Sequence, residues 1–295
     1  MGVLQGAMRF AMETRGYSEG TVALYVSCVR VFAHHFGRSP LLITTQEIES
    51  FFHFLRQRNK SDSTVHLYYV SLRFFYHLNN MPHRMPNLSF PKIRNRVPVV
   101  LSQEKVVTIL DSCRNLKYKT LFTLAYASGL RVSELQALTV SDIDFDRRQV
   151  YVRRGKNGRS RYSLLGLRTM DLLRTYLNVY QPHSLLFHSR ADPTYRLSGG
   201  AIRRHLRSLL IDNGIDAAAV HMHTLRHCFA THLMENGTSI FHIMQLLGHA
   251  SICTTMVYLH MQNLDKLNIT SPIDLLEPQP REDFDRQREL FAASA

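Results

Sequence analysis

The polar residues best placed for chemistry lie in the segment 223–234, which reads HTLRHCFATHLM. Apolar residues at helical spacing predict a core stripe along it, formed by Leu225, Cys228, Phe229 and Leu233. The opposite face carries His223, Arg226, His227 and Ala230. Arginine can hold a phosphate through two parallel hydrogen bonds, and histidine exchanges a proton near neutral pH. This face therefore suits phosphate chemistry, although taken alone a solvated polar surface is the commoner explanation.

Other residues along the chain extend this chemistry. Arg131 follows Gly129 at the start of a predicted helix, and Lys156 lies at the tip of a predicted basic hairpin. His249 follows an apolar helix, and Tyr258 comes nine residues later on a predicted short helix. Each residue has an ordinary structural explanation, but the order and spacing of the whole set do not. The candidate site comprises Arg131, Lys156, His223, Arg226, His249 and Tyr258.

A metal site is the second interpretation of the histidines. His223 and His227, four residues apart, could chelate an ion from one helix face, with His221 and His232 nearby. The segment lacks the glutamate of H-E-x-x-H and a cysteine pair, so we expect no metal. The four cysteines are far apart in apolar helical contexts, and we expect reduced core residues at Cys28, Cys113, Cys228 and Cys253.

Two other catalytic motifs fit poorly. Residues 16–20 read GYSEG, but a nucleophile elbow needs a preceding β-strand, and the segment MRFAMETR before it has helical character. Ser18 is therefore predicted to cap a helix. No G-x-x-x-x-G-K or G-x-G-x-x-G pattern is present, so no nucleotide cofactor is expected.

The charge of the chain points to nucleic acid. The sequence has 36 Lys+Arg against 23 Asp+Glu, a formal net charge of +13, with a pI near 9.9. Residues 1–96 carry +7 and residues 97–275 carry +8, whereas residues 276–295 carry −2. Dispersed basic groups suit a phosphate backbone, although charge alone does not identify a partner.

The composition also limits where the protein acts. No apolar run approaches the ~20 residues of a membrane span, and the N-terminus lacks the apolar region of a secretion signal. We therefore expect no membrane association and a cytoplasmic, nucleoid-associated protein.

The first ninety residues are predicted to be helical. Ser18 precedes one amphipathic helix, and a capping box of Thr44 and Glu47 opens another over Thr45–Arg58. A third helix contains the stripe from Val65 to Tyr76. The aromatic stripes are expected in the core, leaving basic residues for solvent or phosphate at Arg30, Arg56, Arg58, Lys60 and Arg73.

Prolines at 82, 86, 91 and 98 exclude a continuous helix and mark the best domain boundary. Beyond it, Ser102 caps a predicted helix and Leu116–Ala127 forms another, ending near Gly129. Gln149–Arg154 and Ser160–Leu165 flank an Asn-Gly pair and predict a hairpin. The predicted fold is mainly α with a small antiparallel β-sheet (α+β): domain 1–95, domain 96–275 and an acidic tail 276–295.

The motifs together resemble the tyrosine recombinase, or phage-type integrase, family, including its Xer-like and integron-type members. The stretch 223–260 is similar to the family's signature segment nearly throughout. ASGLRVSEL and GKNGRSR resemble its upstream arginine and lysine motifs, and the N-terminal helices resemble, more weakly, its SAM-like core-binding domain. The match covers roughly residues 10–275.

The resemblance implies a site-specific recombinase that cuts and rejoins DNA through a 3′-phosphotyrosine. It implies that Tyr258 attacks the scissile phosphate while Arg131 and Arg226 hold the non-bridging oxygens. His249 would support the phosphate or the nucleophile, Lys156 would protonate the departing 5′ oxygen, and His223 would assist as general base. No metal or cofactor is implied. The implied partners are double-stranded DNA and copies of the same chain, in a tetrameric synaptic complex.

Two alternatives stay open at this stage. A type IB topoisomerase-like enzyme would use the same chemistry without exchanging partners, and a non-catalytic DNA-binding regulator could share the fold. The biological programme is equally open between integration, transposition, cassette exchange and dimer resolution, with a mobile genetic element as the commonest expectation. The tail 276–295 suits either docking on a neighbouring protomer or disorder.

Overall fold

The structure is a computed structural model that describes residues 2–89, 99–153 and 160–261, with side chains up to residue 259. The chain divides into two compact units, Met1–Asn95 and Arg96–Ala295. Within the described ranges, no helix is long and apolar enough to cross a membrane. The candidate Lys156 and the acidic tail 276–295 lie outside the described residues.

The N-terminal unit is built from helices α1 (Gly2–Thr14), α2 (Glu19–Phe36), α3 (Thr45–Gln57) and α4 (Asp62–Leu78). Ser18 caps α2 by accepting a hydrogen bond from the Thr21 N–H, and the capping box of Thr44 and Glu47 opens α3. Both predicted caps are therefore confirmed. The core is aromatic, as expected, with Phe32, Phe51, Phe75 and Tyr76 almost fully buried. The five basic residues predicted on its surface are exposed.

The second unit is mainly helical. Its helices are α5 (Gln103–Ser112), α6 (Leu116–Ser128), α7 (Val132–Ala137), α8 (Leu167–Tyr180), α9 (Gly199–Asp212), α10 (Met222–Glu235), α11 (Ile240–Leu247) and α12 (Cys253–Met256). Strands β1 (Ile143–Asp144), β2 (Gln149–Val152) and β3 (Arg161–Leu164) form an antiparallel sheet in the order β1-β2-β3. Val150 pairs with Ser163 across the predicted hairpin. The predicted fold class is confirmed.

Helix α10 lies inside the second unit rather than on its surface. Helices α6 and α11 and the 3₁₀ segment Val257–Met261 all pack against it. Leu225 and Cys228 are buried as predicted, but Arg226 and Ala230, assigned to the opposite face, are buried as well. The interpretation of that face as a solvated surface is therefore wrong for Arg226, because elements distant in sequence cover the helix on more than one side.

The prediction for the cysteines is correct at three of the four positions. Cys28, Cys113 and Cys228 are buried free thiols, whereas Cys253 is exposed. Cys253 begins α12, a four-residue helix in which Thr255 is the buried residue. A helix this short covers only one of its sides, so an apolar sequence context did not bury Cys253.

Gly129 is a close-packed point of this unit. It ends α6 in the left-handed conformation with φ +59°, and a Cβ there would lie 2.4 Å from a ring carbon of the buried Phe229. Gly129→Ala should therefore destabilise the protein by about 2–5 kcal/mol, from left-handed strain plus overpacking. Urea unfolding of the whole chain measures this change.

The matched control is Gly214→Ala. Gly214 has φ +68°, but nothing lies within 4 Å of the added Cβ. Its cost should be the backbone strain alone, about 1–2 kcal/mol. Equal losses for the two variants would contradict the close packing of Gly129 against Phe229.

Candidate active site

The site begins where α6 ends and α7 begins. Gly129 turns the chain, and Arg131 becomes the N-cap residue of α7. The Arg131 N–H donates to Oε2 of Glu134 at 2.8 Å, and its guanidinium donates to Oε1 at 2.8 Å. The R-x-x-E spacing therefore fixes Arg131 through its own helix terminus.

Glu134 is the anion around which three arginines gather. Arg161 on β3 donates to both carboxylate oxygens at 2.9 and 2.8 Å, and a guanidinium nitrogen of Arg226 lies 3.8 Å from Oε2. Burial alone would raise the pKa of Glu134, but the hydrogen bonds and charges of Arg161 and Arg131 outweigh it and lower that pKa to about 2. Glu134 is therefore ionised at neutral pH although it is only 4% exposed.

Arg226 joins the ends of two helices. Its guanidinium donates to the Gly129 carbonyl at 2.7 Å and to the Leu247 carbonyl at 2.6 Å. These groups lie just beyond the last turn of α6 and in the last turn of α11, where carbonyls lack partners within their own helix. Burial, followed by the charge of Arg131, lowers the pKa of Arg226 to about 10, so it stays cationic at neutral pH.

His249 is held as a neutral imidazole of defined tautomer. Its Nε2 lies 3.1 Å from a guanidinium nitrogen of Arg226, which can only donate, so Nε2 accepts. Nδ1 must then carry the proton and donate it to Oγ1 of Thr255 at 2.9 Å. Burial, followed by the charges of Arg226 and Arg131, lowers the pKa of His249 to about 4.

Tyr258 lies on the 3₁₀ segment and is only 3% exposed. Its ring packs in the cluster that contains Phe229 and Leu247, and it lies nearly parallel to the His249 ring at 6.4 Å between centroids. The phenolic oxygen lies 3.2 Å from Nδ1 of His227. Burial raises the pKa of Tyr258, while Arg226 and Arg131 act in the opposite direction.

The structure thus brings together most of the residues that the sequence singled out. Arg131, Arg226, His249 and Tyr258 are linked by the contacts above. His223 is exposed near the start of α10, with its ring centroid 6.3 Å from that of His227. Its pKa is lowered by partial desolvation and then by Arg226.

Four further residues belong to the site but not to the predicted set: Glu134, Arg161, Thr255 and His227. The R-x-x-E spacing was the available signal for Glu134, and adjacency to Arg226 was the signal for His227. Arg161 ends the GKNGRSR motif and Thr255 lies in the stretch 223–260. Neither motif indicates the contact that its residue makes, because the partners Glu134 and His249 are brought to them only by folding.

His232, one of the four histidines of the alternative metal site, is held by other groups of the protein. Nε2 of His232 must donate to the Leu101 carbonyl at 2.9 Å, so its Nδ1 accepts from the Tyr126 hydroxyl at 2.8 Å. Both ring nitrogens are therefore occupied by protein groups. Among the side chains described in 2–89, 99–153 and 160–259, no three His, Cys, Asp or Glu residues are grouped to hold a metal ion.

Comparison with known proteins decides the family. Residues 99–264 match the phage integrase family, and residues 4–79 match the N-terminal SAM-like domain of phage integrases. This chain belongs to the phage integrase family. The integrase is 30% identical to the tyrosine recombinase XerA of Saccharolobus solfataricus over 88% of its own length and 89% of that protein. It is also 30% identical to XerD of Listeria monocytogenes, over 89% and 95% of the two chains.

Solved structures give the same assignment. A crystal structure of XerA recombinase matches 97% of the integrase at 27% identity, with 98% of that chain covered and a TM-score of 0.53. A lambda integrase dimer bound to a core site has a TM-score of 0.67 at 18% identity, covering 94% and 99% of the chains, and supports the fold alone. The resemblance stated from the sequence is confirmed, and the protein is a tyrosine-type site-specific recombinase, an enzyme that cleaves and rejoins DNA.

Glu134→Gln should destabilise the second unit strongly. The change removes the buried anion from the arginines and places an amide donor against their N–H groups. We expect a loss of about 3–5 kcal/mol, as for other broken buried ion pairs. Asp171→Asn is the matched control, since its pair with Arg174 is exposed. A loss for Glu134→Gln no larger than for this control would contradict its role.

The same carboxylate predicts an acid dependence of stability. The pKa of Glu134 falls from an ordinary 4.5 to about 2 on folding, so its contribution is complete above about pH 4.5 and lost as the pH falls towards 2. Denaturant unfolding between pH 2 and 7 should therefore be less steeply pH-dependent in Glu134→Gln than in the wild type.

Proposed function

We propose that the integrase binds double-stranded DNA and cleaves it with Tyr258, forming a 3′-phosphotyrosine. The supporting observation is the position of this buried phenol beside the cluster of Arg131, Arg226 and His249. An attacked phosphodiester accumulates negative charge on its non-bridging oxygens, and fixed cations stabilise that charge. The site has the composition that this reaction needs.

We assign different roles to Arg131 and Arg226. The Arg131 side chain is 19% exposed and makes its described bonds to Glu134, so it can turn towards a phosphate. Arg226 already uses three of its N–H groups on Gly129, Leu247 and His249. A guanidinium has five, which leaves at most two for a phosphate in this arrangement. Arg226 therefore combines phosphate binding with a structural role.

The remaining roles complete the reaction cycle. His249 supports the phosphate or the nucleophile by accepting from Arg226 at Nε2 and so holding that guanidinium in place, and Lys156 protonates the departing 5′ oxygen. His223, exposed beside His227, assists proton transfer at the solvent-exposed side of the site. Because the tyrosyl phosphodiester retains the energy of the broken bond, a 5′ hydroxyl from another duplex can attack it and release Tyr258. The arginines and Lys156 supply the positive charge, so the proposed cycle uses no nucleotide or metal.

The assembly and the biological programme extend this proposal. Both units are basic, which suits contact with duplex DNA by each, and strand exchange requires protomers on two duplexes, most simply a tetramer. We propose that the enzyme acts in the cytoplasm, at the nucleoid, and that it serves a mobile genetic element. The recombinase names of its relatives favour strand exchange over topoisomerase-like relaxation or a purely regulatory role.

A covalent trap tests the nucleophile. Purified enzyme is incubated with a pool of nicked duplexes randomised around the nick, and SDS-resistant adducts are recovered and sequenced to define one suicide duplex. The wild type should form the adduct on this duplex and Tyr258→Phe should not, because a phenyl ring has no attacking oxygen. An adduct with Tyr258→Phe would overturn the assignment of Tyr258 as the nucleophile. Absence of the adduct with the wild type would contradict the proposal that the enzyme is active.

Substitution of the two arginines separates chemistry from folding. Arg131→Ala should slow adduct formation by about 10²–10³-fold with little loss of stability, since Glu134 keeps its bidentate bond to Arg161. Arg226→Ala should lose cleavage and also lower the melting temperature, because two helix ends lose their shared donor. Single-turnover cleavage and thermal melting measure both effects.

Arg174→Ala is the matched control, since this exposed arginine pairs with Asp171 on the surface. It should change neither measurement appreciably. If Arg131→Ala proved as destabilising as Arg226→Ala, the division of roles between them would be wrong.

A further inference from the structure

The hydroxyl of Tyr258 meets an imidazole that the resemblance did not assign to catalysis. Nδ1 of His227 lies 3.2 Å from the phenolic oxygen, and the two ring centroids are 5.7 Å apart. His223, to which the sequence assigned the assisting base, lies one helical turn before His227 and is exposed. The base that lies within hydrogen-bond distance of the reacting oxygen is therefore His227, the residue that follows Arg226.

We propose that His227 is the group that takes the proton from Tyr258 during strand cleavage. The inference rests on the proposed function, since it requires Tyr258 to be the nucleophile. In the step, the bond between the phenolic oxygen and phosphorus forms and the bond from phosphorus to the 5′ oxygen breaks. The phenolic proton moves to Nδ1 of His227, and the 5′ oxygen takes a proton from the Lys156 ammonium. Religation runs the same transfers in reverse.

The surroundings favour a hydrogen bond in which the phenol donates. A neutral imidazole offers one nitrogen acceptor, and a phenol is a better donor than an imidazole N–H. Burial, followed by His223 and Arg226, lowers the pKa of His227 to about 4, so the ring is unprotonated at neutral pH. The charged and titratable groups that face His227 and Tyr258 are His221, His223, Arg226, His249 and Arg131.

An arriving phosphate makes His227 a stronger base when the proton must move. Part of the fall in its pKa comes from the positive charge of Arg226, which a bound phosphate anion offsets. At the same time the phenolic oxygen loses its affinity for the proton as it bonds to phosphorus. Transfer concerted with attack therefore avoids a free tyrosinate, which burial disfavours.

The geometry is also held in place before the substrate binds. His227 lies on α10, whose neighbouring residues Arg226 and Cys228 are buried. The Tyr258 ring is fixed in the cluster with Phe229 and Leu247. Because His227 and Tyr258 lie on packed elements, their separation is maintained without the entropic cost of ordering a loop.

The decisive comparison is His227→Asn against His227→Ala, on the suicide duplex defined above. The Asn side chain can place an amide oxygen near the position of Nδ1 and so accept the hydrogen bond, but it cannot hold the proton. If His227 accepts the proton, both variants should slow single-turnover cleavage at pH 7 by about 10²-fold or more. Near-wild-type cleavage by His227→Asn with a slow His227→Ala would reduce His227 to orienting the phenol, and would overturn the proposal.

A duplex with sulfur in place of the bridging 5′ oxygen gives an independent readout. Its leaving group departs without a proton, so the variant Lys156→Ala should be largely rescued on it, whereas His227→Asn should not. Because each variant is compared with itself on two substrates, partial loss of folded protein cancels from the ratio. Rescue of His227→Asn would place His227 on the leaving-group side and overturn the proposal.

The pH profile separates base catalysis from positioning. Without a base, attack requires the ionised form of Tyr258, whose population rises about tenfold per pH unit below the pKa of the phenol. The rate of cleavage by His227→Asn should therefore rise about tenfold per pH unit between pH 7 and 8.5, with a flatter profile in the wild type. Parallel profiles would contradict the proposal. His183→Asn, an exposed histidine of the same unit, is the control and should cleave like the wild type.

Failure of this inference is distinguishable from failure of the proposed function. If Tyr258→Phe forms no adduct while both His227 variants cleave within threefold of the wild type, Tyr258 remains the nucleophile and His227 is not its base. If Tyr258→Phe forms the adduct, the proposed function itself fails. Slow cleavage by His223→Asn together with normal cleavage by His227→Asn would transfer the role to His223.

Discussion

The charge balance between Glu134 and three arginines is the constraint on which the rest of the site depends. Arg131, Arg161 and Arg226 come from the start of α7, from β3 and from α10, and they meet one buried carboxylate. Like charges at this spacing repel strongly where water is excluded. Glu134 offsets part of that repulsion, yet one anion against three cations leaves the site positive. The cluster thereby stays cationic, as the proposed binding of a phosphate requires, while the carboxylate limits the repulsion between the arginines.

The same cluster fixes the backbone around the site. Arg226 bonds carbonyls at the ends of α6 and α11, and Arg161 donates to the carbonyl of Leu246 at 2.7 Å. Gly129 and Gly248 end those two helices in the left-handed conformation, which exposes the carbonyls to the guanidinium groups. Residues that we propose to bind the phosphate thus also hold the core together. In such a site stability and activity are coupled, so the effect of a substitution on activity must be compared with its effect on stability.

Burial, reinforced by nearby charges, sets the protonation states of the neighbouring imidazoles. It lowers the pKa of both His227 and His249 to about 4, helped by His223 and Arg226 for the first ring and by Arg226 and Arg131 for the second, so both rings are neutral acceptors at physiological pH. Arg226 fixes which nitrogen of His249 accepts, because a guanidinium only donates, and Nδ1 then donates to Thr255. For Tyr258, burial raises the pKa and the arginines oppose it, so the free tyrosinate stays rare. In the proposed reaction a bound phosphate offsets the charge of the arginines, which ties proton transfer to substrate binding.

The amino-acid sequence by itself determined many of the helices with their caps, the pairing of the two hairpin strands, the family and most of the candidate site. Ser18, Thr44 and Gly129 were predictable because a cap depends on residues within one helical turn. Only the tertiary structure decided that Arg226 is buried, that Cys253 is exposed and that His227 reaches Tyr258. These outcomes depend on contacts such as Arg226 with Gly129, 97 residues apart, and Arg161 with Leu246, 85 residues apart. A local pattern shows which face of a helix is apolar, but burial of the other face depends on which distant elements pack against it.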